Sequence, residues 1–359
     1  MKSMQIIMSQ TLNPNLDVAL GGIVVTGLIY GAIALIVFVI GYRWIESLFP
    51  DLVSGTIVGV IGISLAGVAV GQIGKDLFGI SAALITLTTV VLWGVYAPGR
   101  IVGAQSSKFL RVIEVIPILI GGLIGYFYYY VGANIFGLAN LVDGSLITRA
   151  AWFGLPTFTH PTFTVSASLT IAPVVIVLLA ENLGHVKAIG GMIGRDLNAQ
   201  VGRTFLGDAI GTTFSGLMGG PGLTTYAENM AVMRLSNNFA SISFVAAGLF
   251  AILLGFSPKF GAVIQSIPTP VIGGLSLAMF GLITAAAGSI WQRGIQSGSI
   301  NFMETRTLLV AGIGLVAGAG NLAIKIGGVE ISGIVSATLI TVILYHLLHR
   351  GRKKISLIL

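Results

Sequence analysis

Apolar residues run in long blocks along this chain, separated by short polar or glycine- and proline-rich stretches. The pattern is not the one-sided periodicity of a helix on a soluble surface. Blocks that read as crossings of about 30 Å of hydrocarbon fall near residues 18–40, 52–72, 79–97, 112–132, 164–183, 204–218, 239–257, 262–288, 307–324 and 333–348. The stretch 226–235, with the glycine-rich segment before it, predicts one further, interrupted crossing. Prolines recur inside the blocks, at Ile116-Pro117, Ala172-Pro173 and Ile267-Pro268-Thr269-Pro270. Such breaks are tolerated where protein, not lipid, surrounds the freed backbone groups. The longest connection, 134–163, carries Pro156, His160 and Pro161 and reads as an external loop.

Composition turns the pattern into a class. The 359 residues are 55% hydrophobic and 9% charged, with a mean hydropathy of +0.97. A soluble protein of this length could not solvate such a surface. The 50 glycines suit helices that approach closely in a bilayer. With no cysteine, a disulfide framework and a thiolate metal site are excluded. The net charge of +7 is spread over the connections and is no nucleic-acid signature. Alternating the loops puts Arg43, Arg100, Lys108, Arg111, Lys187, Arg195, Arg203, Arg234, Arg293, Arg306, Arg350, Arg352, Lys353 and Lys354 inside. Lys2, Lys75, Arg149, Lys259 and Lys325 fall outside. This positive-inside bias predicts an external N-terminus, a cytoplasmic C-terminus and about eleven spans. Trp44, Trp93, Trp152 and Trp291 read as interfacial belt residues.

Two carboxylates stand out against this background. Glu181 closes the apolar run 165–180, and His185 follows it by four residues, on the same face if the helix continues. The alternative is a helix that stops there and leaves both at the interface. Glu228 follows Gly219-Gly220-Pro221-Gly222-Leu223-Thr224-Thr225-Tyr226-Ala227, where glycine and proline break a helix. A carboxylate at membrane depth is costly and marks a pathway or a partner. Beside a broken helix, whose free N–H groups and dipole end face a cavity, it marks a substrate site. The alternative for Glu228 is a polar re-entrant turn. Asp208 could serve the site, pair with Arg203 or cap a neighbouring helix. Glu114 with Arg111 reads as an interface ion pair, and His346 and His349 as interfacial. The chain carries no Walker, His-Glu-x-x-His or Gly-x-Ser-x-Gly motif, so an enzyme, a cofactor and a metal site are not expected.

The segments 180–185 and 219–229 resemble the nucleobase–ascorbate transporter (uracil–xanthine permease) family. Asn13-Pro14-Asn15, Ala19-Leu20-Gly21-Gly22, 151–156 and 255–261 share the resemblance, which runs from about residue 12 to 350. It implies an all-α polytopic membrane fold built as two inverted seven-span repeats, with core and gate domains. Against that plan the chain reads as lacking the first three spans. Residues 17–43 would be a remnant of the core, 51–133 and 262–349 the two parts of the gate, and 164–257 the core with its substrate site. The implied function is proton symport of uracil or a related nucleobase across the inner membrane by an elevator motion. The resemblance gives Glu181, Glu228, Ala227, Tyr226, Thr225 and Phe280 as substrate-binding residues, and His185 with Glu181 as proton-coupling residues. The partners implied are nucleobase, protons and the lipid bilayer, with a homodimer left open. The main rival is a shortened, non-transporting membrane protein that keeps the fold.

Overall fold

The structure is a computed structural model that describes residues 15–96, 116–156, 158–226, 229, 230, 233, 238–326 and 329–349. The apolar blocks become helices. Helix α1 spans Leu16–Ile40, α2 Arg43–Leu48, α3 Asp51–Ile73, α4 Leu77–Tyr96 and α5 Pro117–Asn134. After the short α6, Ser145–Arg149, come α7, Val165–Ile171, and α8, Val175–Ile193, joined by a single tighter turn at Ala172–Val174. Helix α9 spans Val201–Leu217, α10 Ser241–Gly255, α11 Pro258–Gln265 and α12 Thr269–Gln296. Helix α13, Thr305–Ala319, and helix α14, Gly333–His349, flank a small ribbon. Their starts follow local chemistry: Asp76 accepts the N–H of Gly79 at 2.6 Å at the head of α4, Thr164 caps α7 through Ala167, and Pro117 opens α5.

Among the described residues, α1, α3, α4, α12 and the α7–α8 run Val165–Ile193 are long and apolar enough to cross a membrane. Helices α10 and α11 add a sixth if their 90° bend is counted within one broken span. Helices α13 and α14 are shorter apolar helices. The chain is therefore mainly helical with several membrane-length helices, as expected. The predicted boundaries shift where local chemistry outweighs hydropathy. The blocks 239–257 and 262–288 become three helices, because Ser257 caps a new one at Pro258 and Pro268 delays the next to Thr269. The block 307–324 ends early, with Asn321 in the left-handed region (φ 47°). There Ile324–Ile326 pairs antiparallel with Val329–Ile331, Lys325 opposite Glu330. This ribbon departs from the all-α expectation. Most of the crossing expected at 226–235, and Glu114 with Arg111, lie outside the described residues.

The chain divides into two compact units. The first comprises Met1–Ser64, Phe158–Ala227 and Ile283–Leu359. Its core centres on Tyr30, Ile45, Phe49, Val53, Leu183 and Phe205. Helix α1 lies along α9, and the two touch at small residues: a Cβ on Gly27 would strike Thr213, and one on Gly216 would strike Val24. Such contacts replace the hydrophobic drive that helices lack in lipid. Trp291 donates to the carbonyl of Leu52 at 3.3 Å and packs edge-on against Phe302. The second unit comprises Leu65–Thr157 and Glu228–Leu282. In it α4 and α5 pack through Gly121 on Val90 and Gly125 on Thr86, with Phe78 stacked on Tyr128. Loop 151–154 is tied to α11: Lys259 N–H donates to Ala151, and the Lys259 ammonium sits 4.7 Å from the centroid of the exposed Trp152 ring.

Candidate functional site

Glu181 stands in the middle of α8, not at its end: the helix runs on for three more turns to Ile193. Glu181 (9% exposed), Asn182 and His185 are all buried. Glu181 and His185 share one face, as a four-residue spacing on a continuing helix requires. Against that face runs the broken segment. After α9 ends, Gly219 turns the chain with φ +86°, and 220–226 proceeds without regular structure. Its backbone groups would be costly at membrane depth if left unmade. Helix α9 supplies partners instead. The Thr212 hydroxyl bonds both the N–H and the carbonyl of Leu223, each at 3.1 Å, and Ser215 donates to the carbonyl of Pro221 at 2.7 Å.

Two consecutive threonines bring the segment onto α8. Thr224 donates its hydroxyl to Glu181 Oε2 at 3.0 Å. Thr225 Oγ1 lies 2.6 Å from His185 Nδ1. The other imidazole nitrogen, Nε2, is buried and has no hydrogen-bond partner among the described residues. A carboxylate and an imidazole one turn apart are thus each held by a hydroxyl of the same irregular segment. This arrangement orients acceptor oxygens and carries a titratable ring, the equipment for binding N–H donors and moving protons.

A second buried polar pair lies behind this face. Asn182, fully buried, donates from Nδ2 to Asp208 Oδ2 on α9 at 2.6 Å. Tyr30 of α1 brings its hydroxyl beside Asn182 and Asp208 without closing a bond of good geometry. Arg203, considered as a partner of Asp208, instead bonds Gln200. Further along α8, Lys187 pairs with Glu46 at 2.8 Å and Asp51 at 3.6 Å. At the end of the first unit, His346 meets the carbonyl of Leu48.

The structure brings together Glu181, His185 and Thr225 of the residues expected at the site. Tyr226, half exposed, follows Thr225 directly. Ala227 and Glu228 lie outside the described residues. Phe280, half-buried on α12, belongs to the second unit. Sequence reasoning missed Thr224, Asn182 and Tyr30 as side-chain participants. For Asn182 a signal existed, an amide between two ionisable residues in an apolar run. For Tyr30 there was none, since its helix is apolar throughout.

Comparison with known proteins follows from this geometry. A model of a permease family, Xan_ur_permease, matches residues 3–346. RutG of Escherichia coli K12, provisionally designated a pyrimidine permease, is 42% identical over 341 residues, covering 95% of this chain and 74% of its own. The uracil permease of Bacillus caldolyticus is 35% identical over 91% of this chain and 74% of its own. The uracil permease of Escherichia coli K12 is 33% identical over 90% and 72%. These relatives are transporters, not enzymes, and the membrane-length helices agree with a multi-pass protein. The match along nearly the whole chain, on helices of this kind, places it in the permease family.

Proposed function

We propose that this chain imports uracil or a closely related nucleobase across the cell membrane by proton symport. The observation that carries the reading is a buried mid-helix carboxylate, Glu181, oriented by Thr224 of a broken segment, in a chain whose relatives include named uracil permeases. Uracil presents two ring N–H donors and two carbonyl acceptors. Glu181 accepts a ring N–H, Glu228 a second, and the backbone of Tyr226 and Ala227 meets the carbonyl edge. Phe280 completes the set of substrate-binding residues that the family resemblance implies. His185, held by Thr225, takes and returns the coupled proton with Glu181. The division into core (17–43, 164–257) and gate (51–133, 262–349), an elevator motion between them and a cytoplasmic C-terminus belong to the same proposal. The non-transporting alternative is not favoured, because the relatives matched along the chain are named for transport.

The test is uptake of labelled uracil into cells stripped of their own permeases. Saturable uptake that collapses with the proton gradient is expected. Glu181→Ala strands a ring donor in a dry site, a cost of roughly 2–5 kcal/mol, or about thirty-fold to several-thousand-fold in affinity. Uptake by Glu181→Ala equal to the parent would reject the assignment.

A further inference from the structure

We infer that Thr225 is a positioning residue whose hydroxyl reads the protonation state of His185 and passes it to the broken segment. The inference rests on the proposed proton-coupled transport and adds the device that links the proton to the site backbone. Its basis is the 2.6 Å contact between Thr225 Oγ1 and His185 Nδ1, with Nε2 buried and unpartnered among the described residues.

A neutral imidazole carries one N–H, so the shared hydrogen can belong to either partner. When Nδ1 is bare, the Thr225 hydroxyl donates to it. When Nδ1 bears the hydrogen, the hydroxyl accepts and must turn its own hydrogen elsewhere. An imidazolium has hydrogens on both nitrogens, and only the second arrangement survives. Protonation of a bare Nδ1 therefore forces the hydroxyl from donor to acceptor. Thr225 sits next to Thr224, which donates to Glu181, and two residues after Leu223, which is pinned to α9 by Thr212. A hydroxyl reversal at Thr225 acts on a short, tethered segment that also orients the carboxylate.

Among the described residues, no other charged group takes over this role. Glu181 lies one turn back on α8 and is held by Thr224. Asp208 on α9 is engaged by Asn182, beside Tyr30 of α1. Lys187, beyond His185 on α8, is paired with Glu46 and Asp51. On α12, Ile290 packs against Gly184, and Arg293 lies one turn further on, near Asp51.

Two measurements on the full chain test the inference. The first is the nitrogen NMR of histidine-labelled protein in detergent, with the His185 signals assigned by their loss in His185→Gln. Thr225→Val keeps the shape and removes the hydroxyl, and should lower the ratio of doubly to singly protonated imidazole at a given pH about five- to tenfold, because the bond from a charged N–H is the stronger one. Thr225→Ser should restore the parental ratio. The second is the pH profile of labelled-uracil uptake. Thr225→Val, His185→Gln and the double variant should share one profile, and Thr225→Ser should follow the parent. An unchanged ratio of doubly to singly protonated imidazole in Thr225→Val overturns the inference, as does a parental pH profile in that variant. Absence of uracil uptake by the parent rejects the substrate assignment instead, and the protonation ratio of His185 still decides the role of Thr225.

Discussion

Replacing Asn182 tests how far the first unit relies on a polar tie between α8 and α9. Asn182→Ala removes the amide that donates to Asp208 at 2.6 Å and leaves a fully buried position empty. Hydrogen bonds between membrane helices average only about 0.6 kcal/mol in double-mutant cycles and reach about 1.7. The short distance and complete burial put this one near the upper end, about 1.5 kcal/mol of coupling. Stranding the Asp208 carboxylate adds to that, for a total of about 2–3 kcal/mol in the single variant. At about 2.1 cal/mol/K of unfolding entropy per residue, a chain of 359 residues loses roughly 1.3 °C of melting temperature per kcal/mol, so a fall of about 3–4 °C is expected. With no cysteine in the chain, thiol-reactive dyes are silent; unfolding in detergent is followed by the fluorescence of Trp44, Trp93, Trp152 and Trp291. The cycle is completed with Asp208→Ala and the double variant, which should melt well above the sum of the single losses. Strict additivity, or Asn182→Ala melting within a degree of the parent, would refute the reasoning.

Other outcomes follow from the same structure. Gly27→Val places a branched side chain on Thr213 and should abolish monodisperse protein on size exclusion; normal elution would show that α1 and α9 can part. Lys187→Met should lower stability by no more than about 1 kcal/mol, because its pairs are partly exposed. Any such loss should fade when the parent is melted in high salt, and a larger, salt-independent effect would count against the ion-pair account. A single cysteine at Gly154 should react with impermeant reagents added outside intact cells, and one after Arg352 should not. Labelling in the opposite sense would defeat the predicted orientation.

How much of this was legible beforehand depended on the kind of signal. Helices α1, α3 and α4 announced themselves, since an apolar block of twenty or so residues has few other ways to satisfy its backbone in lipid. Glu181 was legible for the same reason, as a charge inside such a block. The break at Ser257-Pro258 was legible as the gap between the blocks 239–257 and 262–288, but its 90° angle was not, nor was the separate end of α11 at Gln265, because the second block is apolar on both sides of it. The ribbon at 324–331 was hidden because its first strand extends the hydropathy of α13. The hydroxyl contacts of Thr224 and Thr225 were beyond reach: they join residues about forty apart in sequence, and threonine suits extended backbone whether or not it has a partner. Asp208 was noticed, but its partner could not be chosen, because Arg203 on its own helix was the nearer candidate in sequence and the amide on α8 the nearer one in space.

The contact of α1 with α9 at Gly27 and Gly216 has a mechanical meaning. Helices meshed at backbone distance cannot slide without a clash, so the pair behaves as one lever. At one end Thr212 and Ser215 grip the broken segment. At that same end, Asp17 holds the strap 158–164 through the N–H of Thr162 at 2.8 Å and its hydroxyl at 2.7 Å. Gly219, at the head of the broken segment, also lies against Thr159 of the strap, so a displacement of Leu223 must reappear there. A fluorophore on a cysteine placed at the exposed His160, the sole thiol in the chain, would report the motion of the broken segment without touching it.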